Sequence, residues 1–370
     1  MNIVFPLPRL LRPIVAAALV LAAVQPAAAQ RAVTFSVPGA EMTQPVTVNN
    51  RGVIAGLYDS DAVWEGAFVR DADGTITTIE LPDVLIFTNR MHLNASGTLV
   101  GTYVERTFVA RGFIRTPDGT VSSFNLPGAG TTVLAGINDG GTMIGAYLDS
   151  TFTHGAGFLV TRGGTMVEIT GDDPSDLYIP VAINNAGSIL GLIQKANGTY
   201  VGMFARDARG RIARFDVPHE PSRPDVTRVE MLTVQPAAIN AAGVGTGYYQ
   251  YLEWAGDTLV SAGLRGFIRH ADGTLESFAA PNSTIEDLFE VPETRTAAQG
   301  ISNAGAIFGY QFNTLLRRRT GFMRSRSGAY TTIEVDGAVF TEVTGVSSSG
   351  LAIGRYQAGA GLPLLGFIVR

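Results

Sequence analysis

Residues 137–147 read Ile-Asn-Asp-Gly-Gly-Thr-Met-Ile-Gly-Ala-Tyr, and ten residues later the chain reads Gly157-Phe158-Leu159-Val160. This stretch decides the fold because it recurs. The pattern Asn/Ser-x-x-Gly-x-x-x-Gly starts at Asn49, Asn94, Asn138, Asn184, Asn240, Ser302 and Ser347. Its last glycines are Gly56, Gly101, Gly145, Gly191, Gly247, Gly309 and Gly354. A phenylalanine follows each time: Phe68, Phe113, Phe158, Phe204, Phe267, Phe322 and Phe367. Six residues past the first six of these stands another glycine, from Gly74 to Gly328. The last glycines lie 45, 44, 46, 56, 62 and 45 residues apart, so two units carry insertions and the rest hold one period.

The segments between these anchors are short, rich in β-branched, aromatic and aliphatic residues, and bounded by Gly, Asn, Asp or Pro. That is strand composition. Asn-x-x-Gly between two of them is a tight hairpin, with Asn bonding local backbone and Gly accepting a positive φ. Pro117-Asp118-Gly119-Thr120 and the Ala-Asp-Gly-Thr runs at 72–75 and 271–274 make a second tight turn. No stretch past the first thirty residues sustains a capped helical period. Each unit therefore reads as four strands, and four-stranded units of this length are the signature of a β-propeller. The chain past its unit-seven phenylalanine stops after a third strand, whereas residues 33–40 form an orphan fourth strand. The expected fold is all-β: a seven-bladed β-propeller of four-stranded antiparallel blades, closed by the N-terminal strand completing the last blade. The blades run near 41–82, 83–129, 130–172, 173–218, 219–281, 282–338 and 339–370 with 33–40, all within one domain over 30–370. Small residues two places before most anchors put the first strand of each unit innermost. The repeated Phe reads as core between neighbouring blades.

Composition agrees. Gly is 44 of 370 residues, and charged residues are 16%, against about 25% in an ordinary soluble domain. There is no Cys, which excludes a thiolate metal site, a disulfide scaffold and a cysteine nucleophile. A net charge of −5 argues against nucleic acid as a partner. Arg9 and Arg12, an apolar run over 13–24 and Ala27-Ala28-Ala29 read as a secretory signal over 1–29, cleaved after Ala29. Its loss takes the charge to −7 and leaves no segment apolar enough to span a membrane. The expected location is secreted or periplasmic, and the expected state is monomeric.

The motif Ile137-Asn138 through Tyr147, with Gly112-Phe113 through Thr120 and Val37-Pro38-Gly39-Ala40, resembles the HAF-repeat family of extracellular bacterial proteins. The resemblance covers essentially all of 33–370. The family's His-Ala-Phe triplet is Gly66-Ala67-Phe68 here, and no His precedes any repeated Phe. The resemblance implies a repeat fold and secretion; it carries over no activity and no functional residues.

Loops joining second to third strands, and fourth strands to the next unit, should share one face, and these vary most. Loop variation on a rigid scaffold is where function concentrates. Candidate ligand-binding residues there are Asp59, Asp61, Trp64 and Glu65; His154; Tyr251, Glu253 and Trp254; and the run Arg317, Arg318, Arg319. A tryptophan beside acids can stack a sugar and bond its hydroxyls, or simply cover a blade edge. The arginine run can bind an anionic glycan or phosphate, or lie solvated. Asp172, Asp173 and Asp176 can hold Ca²⁺ or make a polar turn, and Asp71-x-Asp73-Gly74 mimics a calcium loop but sits in the repeated hairpin. No cofactor, metal site or catalytic motif is expected. The sequence thus points to a binding or interaction module for an extracellular glycan, polymer or protein. A polysaccharide hydrolase or lyase with paired loop carboxylates, and a purely structural envelope protein, are the alternatives. Deleting residues 30–40 should expose a strand edge and cause aggregation or loss of cooperative unfolding. Unchanged melting and solubility would refute the closing strand.

Overall fold

Among the described residues every regular element is a β-strand. The computed structural model describes residues 32–370 apart from 60–65, 152, 196, 282, 286–292 and 314–315. The chain enters through β1 (Val33–Phe35). Four-stranded antiparallel meanders follow. The first is β2 (Met42–Val48), β3 (Ile54–Asp59), β4 (Gly66–Arg70) and β5 (Ile76–Ile79). The second is β6 (Val84–Leu93), β7 (Leu99–Glu105), β8 (Ala110–Arg115) and β9 (Val121–Phe124). Next come β10 (Ala129–Ile137), β11 (Met143–Asp149), β12 (Gly155–Val160) and β13 (Met166–Ile169), then β14 (Asp176–Ile183), β15 (Ile189–Lys195), β16 (Tyr200–Arg206) and β17 (Ile212–Phe215). The fifth unit has the longest strands: β18 (Arg228–Ile239), β19 (Gly245–Ala255), β20 (Thr258–Arg269) and β21 (Leu275–Phe278). A short β22 (Thr284–Ile285) pairs with β23 (Glu293–Ile301), which continues into β24 (Ile307–Asn313), β25 (Arg318–Arg324) and β26 (Tyr330–Ile333). The last unit is β27 (Phe340–Val346), β28 (Ala352–Gln357) and β29 (Leu364–Val369), with β1 alongside β29: Val33 lies opposite Ile368 and Phe35 opposite Gly366.

The repeat glycines have two separate causes. Gly141 ends the first hairpin of its unit at φ +79°, where Asn138 Oδ1 accepts the Thr142 N–H at 2.9 Å. Gly145 has an extended backbone but no room. A Cβ there would meet the Val133 carbonyl oxygen and the ring of Phe158, the residue opposite it on β12. The same register holds from Gly56 opposite Phe68 to Gly354 opposite Phe367. A bulge in each first strand brings that carbonyl close; in β10 it falls between Leu134 and Gly136. These bulges left no mark in the repeat's spacing.

The seven phenylalanines are at most 1% exposed and pack in the seams between neighbouring sheets. Phe158 meets Val100 and Leu126 of the second unit together with Leu134 and Ile137 of its own. Phe68 shares a cluster with Ile353 of the last unit. The anchor asparagines form a second link. Asn49 Nδ2 donates to the Asn94 carbonyl at 3.1 Å, Asn94 to Asn138 at 3.4 Å, Asn138 to Asn184 at 3.3 Å, Asn184 to Asn240 at 2.8 Å and Asn240 to Ser302 at 3.2 Å. Serine has no such amide, and past Ser302 the link is carried by Asn303 N–H to the Ser348 carbonyl at 2.8 Å. Ser348 Oγ in turn contacts the Asn50 side chain at 2.8 Å.

Replacing Phe158 by Ala should cost about 3–5 kcal/mol of unfolding free energy in denaturant titration, the range for emptying a buried aromatic site. A loss below about 1 kcal/mol would mean that the seam collapses around the cavity.

Candidate functional site

A cavity of about 520 Å³ lies between the first strands of all the units, from Gln44 on β2 to Glu342 on β27. Its volume falls in the range of small-molecule sites. Two register positions decide its chemistry. Five residues before each anchor stand Gln44, Asn89, Val133, Ile179, Gln235, Ala297 and Glu342. One past each last glycine stand Leu57, Thr102, Ala146, Leu192, Tyr248, Tyr310 and Arg355. The third and fourth units are apolar at both positions, and the seventh is charged at both. Gln44, Asn89, Gln235, Glu342, Tyr248, Tyr310 and Arg355 all line the cavity. Thr102 turns away and exchanges hydrogen bonds with the Leu134 backbone.

Glu342 is the centre of this polar end. Its side chain is 3% exposed, and both oxygens are occupied. Arg319 of β25 donates Nη1 to Oε1, and Arg355 of β28 donates Nε to Oε2 at 2.8 Å. Arg355 Nη1 also donates to Gln44 Oε1 at 2.8 Å, so the network ties three units together. The Arg319 guanidinium lies 5.9 Å from the Tyr310 ring centre. Burial, then the Glu342 charge, push the Tyr310 hydroxyl up to about 12, and burial raises Tyr248 as well. Both phenols are neutral donors at ordinary pH. The mouth therefore offers hydroxyl, amide and guanidinium donors around a single carboxylate that has no oxygen left over.

His92, two places before its anchor, also lines the cavity. Burial, then the neighbouring Arg90 charge, push its pKa down to about 4.

Of the residues picked out in the sequence, Arg319 alone joins this network. The period of two along a strand splits the arginine run. Arg317 sits in the turn at φ +53°, and Arg318 faces away to the Ala338 carbonyl at 2.8 Å and Glu334 at 3.1 Å. Tyr251 and Glu253 are buried rather than presented on a loop face. Glu253 accepts from His219 Nε2 at 2.7 Å, from the Ser222 N–H at 2.9 Å and from the Ser222 hydroxyl. Burial raises the Glu253 pKa, and the Ser222 and His219 bonds overcome that and hold it below the ordinary carboxylate value. The physical reason is the insertion itself, which folds onto the long β19–β20 hairpin and spends its polar groups there. Trp254 is half-buried under the Arg228 guanidinium, 4.8 Å from its ring. His154 is exposed, 6.3 Å from the Tyr147 ring. Asp59 ends β3 and is buried; Asp61, Trp64 and Glu65 lie outside the described residues.

The acids that could hold Ca²⁺ hold an ammonium. Lys195 Nζ lies 2.6 Å from Asp176 and 3.0 Å from Asp173, and Arg214 reaches Asp176 at 3.2 Å. Asp73 is hairpin chemistry, accepting the Thr75 N–H at 2.9 Å.

No protein-family profile matches this chain, and no curated protein matches it. Solved structures do. A catalytically inactive virginiamycin B lyase from Staphylococcus aureus, crystallised with quinupristin, superposes with a TM-score of 0.51 at 12% identity. The match covers 92% of this chain and 99% of that one. A streptogramin B lyase gives 0.50 at 10% identity, covering 92% and 97%. The fold is a β-propeller. At that identity the likeness speaks for the propeller fold alone, and the cavity chemistry has to be read from this chain's own residues.

His92 gives the site a pH signature. Its pKa is near 6.5 unfolded and about 4 folded, so the unfolded chain binds the proton first. Its contribution to stability is complete above pH 6.5 and is lost as pH falls toward 4. His92→Gln should flatten the melting temperature against pH across that window. An unchanged profile would remove His92 as the cause.

Proposed function

We propose that this protein is a secreted or periplasmic binding module built on a closed, seven-bladed β-propeller, and that it receives its ligand at the polar mouth of the cavity. Closure is supported by β1 on β29 and by the Asn50–Ser348 contact between the last and first units. Export rests on residues 1–29. The ligand class is an extracellular glycan, polymer or protein. The observation that carries the reading is the concentration of chemistry. The polar members of two register positions, Thr102 excepted, converge on one end of one cavity, while the equivalent positions in the third and fourth units stay apolar. A scaffold with a purely structural task has no use for that asymmetry.

Binding is favoured over carboxylate hydrolysis by the state of the acids. The acids among the described lining residues are Glu342 and Asp139. Glu342 is held by two guanidinium groups. Asp139, beside an anchor asparagine at the other end of the first strands, accepts from Ala95 N–H at 2.7 Å and Asn185 Nδ2 at 2.6 Å. Glu342 is buried under its two arginines, and Asp139 stands at the opposite end of the first strands, so the two do not form a pair around one bond.

A glycan-array and pull-down screen tests this. Tyr248→Phe with Tyr310→Phe should weaken a captured ligand by about tenfold or more, as expected for losing two hydrogen bonds. Trp254→Ala should leave it unchanged. Binding indifferent to the tyrosine pair would place the ligand elsewhere.

A further inference from the structure

We infer that the ligand taken at the cavity mouth is a carboxylated saccharide, and that Arg319 receives its carboxylate. The inference rests on the binding reading above and adds the ligand's charge.

Arg319 is a guanidinium held in place with donors to spare. Its side chain is 51% exposed, its orientation is fixed by buried Glu342 on one side and the Tyr310 ring on another, and one nitrogen is engaged. A guanidinium carries five N–H donors in a rigid fork that matches a carboxylate. Among the described residues Arg319 makes no second hydrogen bond, and its remaining donors lie at the rim of the cavity, beside the lining residues Glu342 and Tyr310. Arg355 is different: it spends its nitrogens on Glu342 and Gln44 and serves to anchor the carboxylate that positions Arg319.

The charge count agrees. Arg319 and Arg355 against Glu342 leave one positive charge at the mouth of a chain whose net charge is −5. One excess charge at a fork suits a monoanion. The phenols of Tyr248 and Tyr310 and the amides of Gln235, Gln299 and Asn89 suit the hydroxyls of a sugar ring, and the tyrosine rings suit its faces.

The test uses the mature protein on an array of paired oligosaccharides, each present as the uronic acid, its methyl ester and its neutral parent sugar, followed by titration of the strongest pair. The acid should bind at least about tenfold tighter than its ester, and more weakly as salt is raised. Arg319→Gln should abolish the difference between acid and ester. Arg319→Lys, which keeps the charge and loses the fork, should fall between. Arg318→Gln, on the opposite face of the strand, should behave as wild type, and melting temperatures check that each variant folds. Equal binding of acid and ester, or acid binding untouched by Arg319→Gln, overturns the charge assignment. If neutral sugars bind and depend on Tyr248 and Tyr310, the binding module stands without it. Binding of no member of the array overturns the carboxylated saccharide and leaves the binding module to the pull-down, whereas binding independent of every cavity residue overturns both.

Discussion

A phenylalanine ring set against a glycine that has no space for a Cβ is the contact on which each sheet depends. The ring comes from the third strand and the glycine from the second, and the bulged first strand closes the gap with a backbone carbonyl. Because the ring also reaches the neighbouring unit, the same contact that orders one sheet fixes its distance from the next. Side-chain volume, rather than turn preference, therefore keeps this glycine. Any added carbon would push the phenylalanine out of the seam or the inner strand off its bulge, and either move would propagate to the adjoining unit.

That contact made the fold legible. Gly and Phe recur at fixed offsets, and turn chemistry marks the strand ends, so the four-stranded units could be drawn from Asn138, Gly145 and Phe158 alone. The candidate site was mostly hidden, for a physical reason. Its lining residues stand on first and second strands, where the repeat is strict, and loops drew attention because they vary. Tyr248, Tyr310, Arg355 and Glu342 occupy positions held elsewhere by Leu, Ala, Val or Ile. The signal was a departure within the repeat, and reading it needs the units aligned position by position. Arg319 was visible as part of a charge run, but only strand alternation shows that its neighbour points the other way. Tyr251 and Glu253 sit in a region that looks like a variable loop in sequence. The β19–β20 hairpin is long enough to bury them, and loop length gave no hint of that.

The polar groups divide into those that satisfy each other and those left with capacity. His219, Ser222 and Glu253 close among themselves, as do Lys195, Asp173 and Asp176. Both clusters pin insertions or loop ends to the sheets. The Glu342 network differs because its outermost member keeps unspent donors beside an open cavity. Buried carboxylates are costly to strand, so Glu342 also obliges its two arginines to stay where they are, giving a rigid presentation of charge.

The asparagine links have a consequence for how such a chain can change. From one anchor to the next the sequence separation varies from 44 to 62 residues, yet the donor–acceptor distance stays between 2.8 and 3.4 Å. The connection is made across the turn end of the sheets, so whatever is inserted at the other end never enters it. Evolution can lengthen, shorten or exchange the segments around the mouth without renegotiating the register of the scaffold. A designer could do the same, grafting a foreign loop between second and third strands while the collar of amides keeps count.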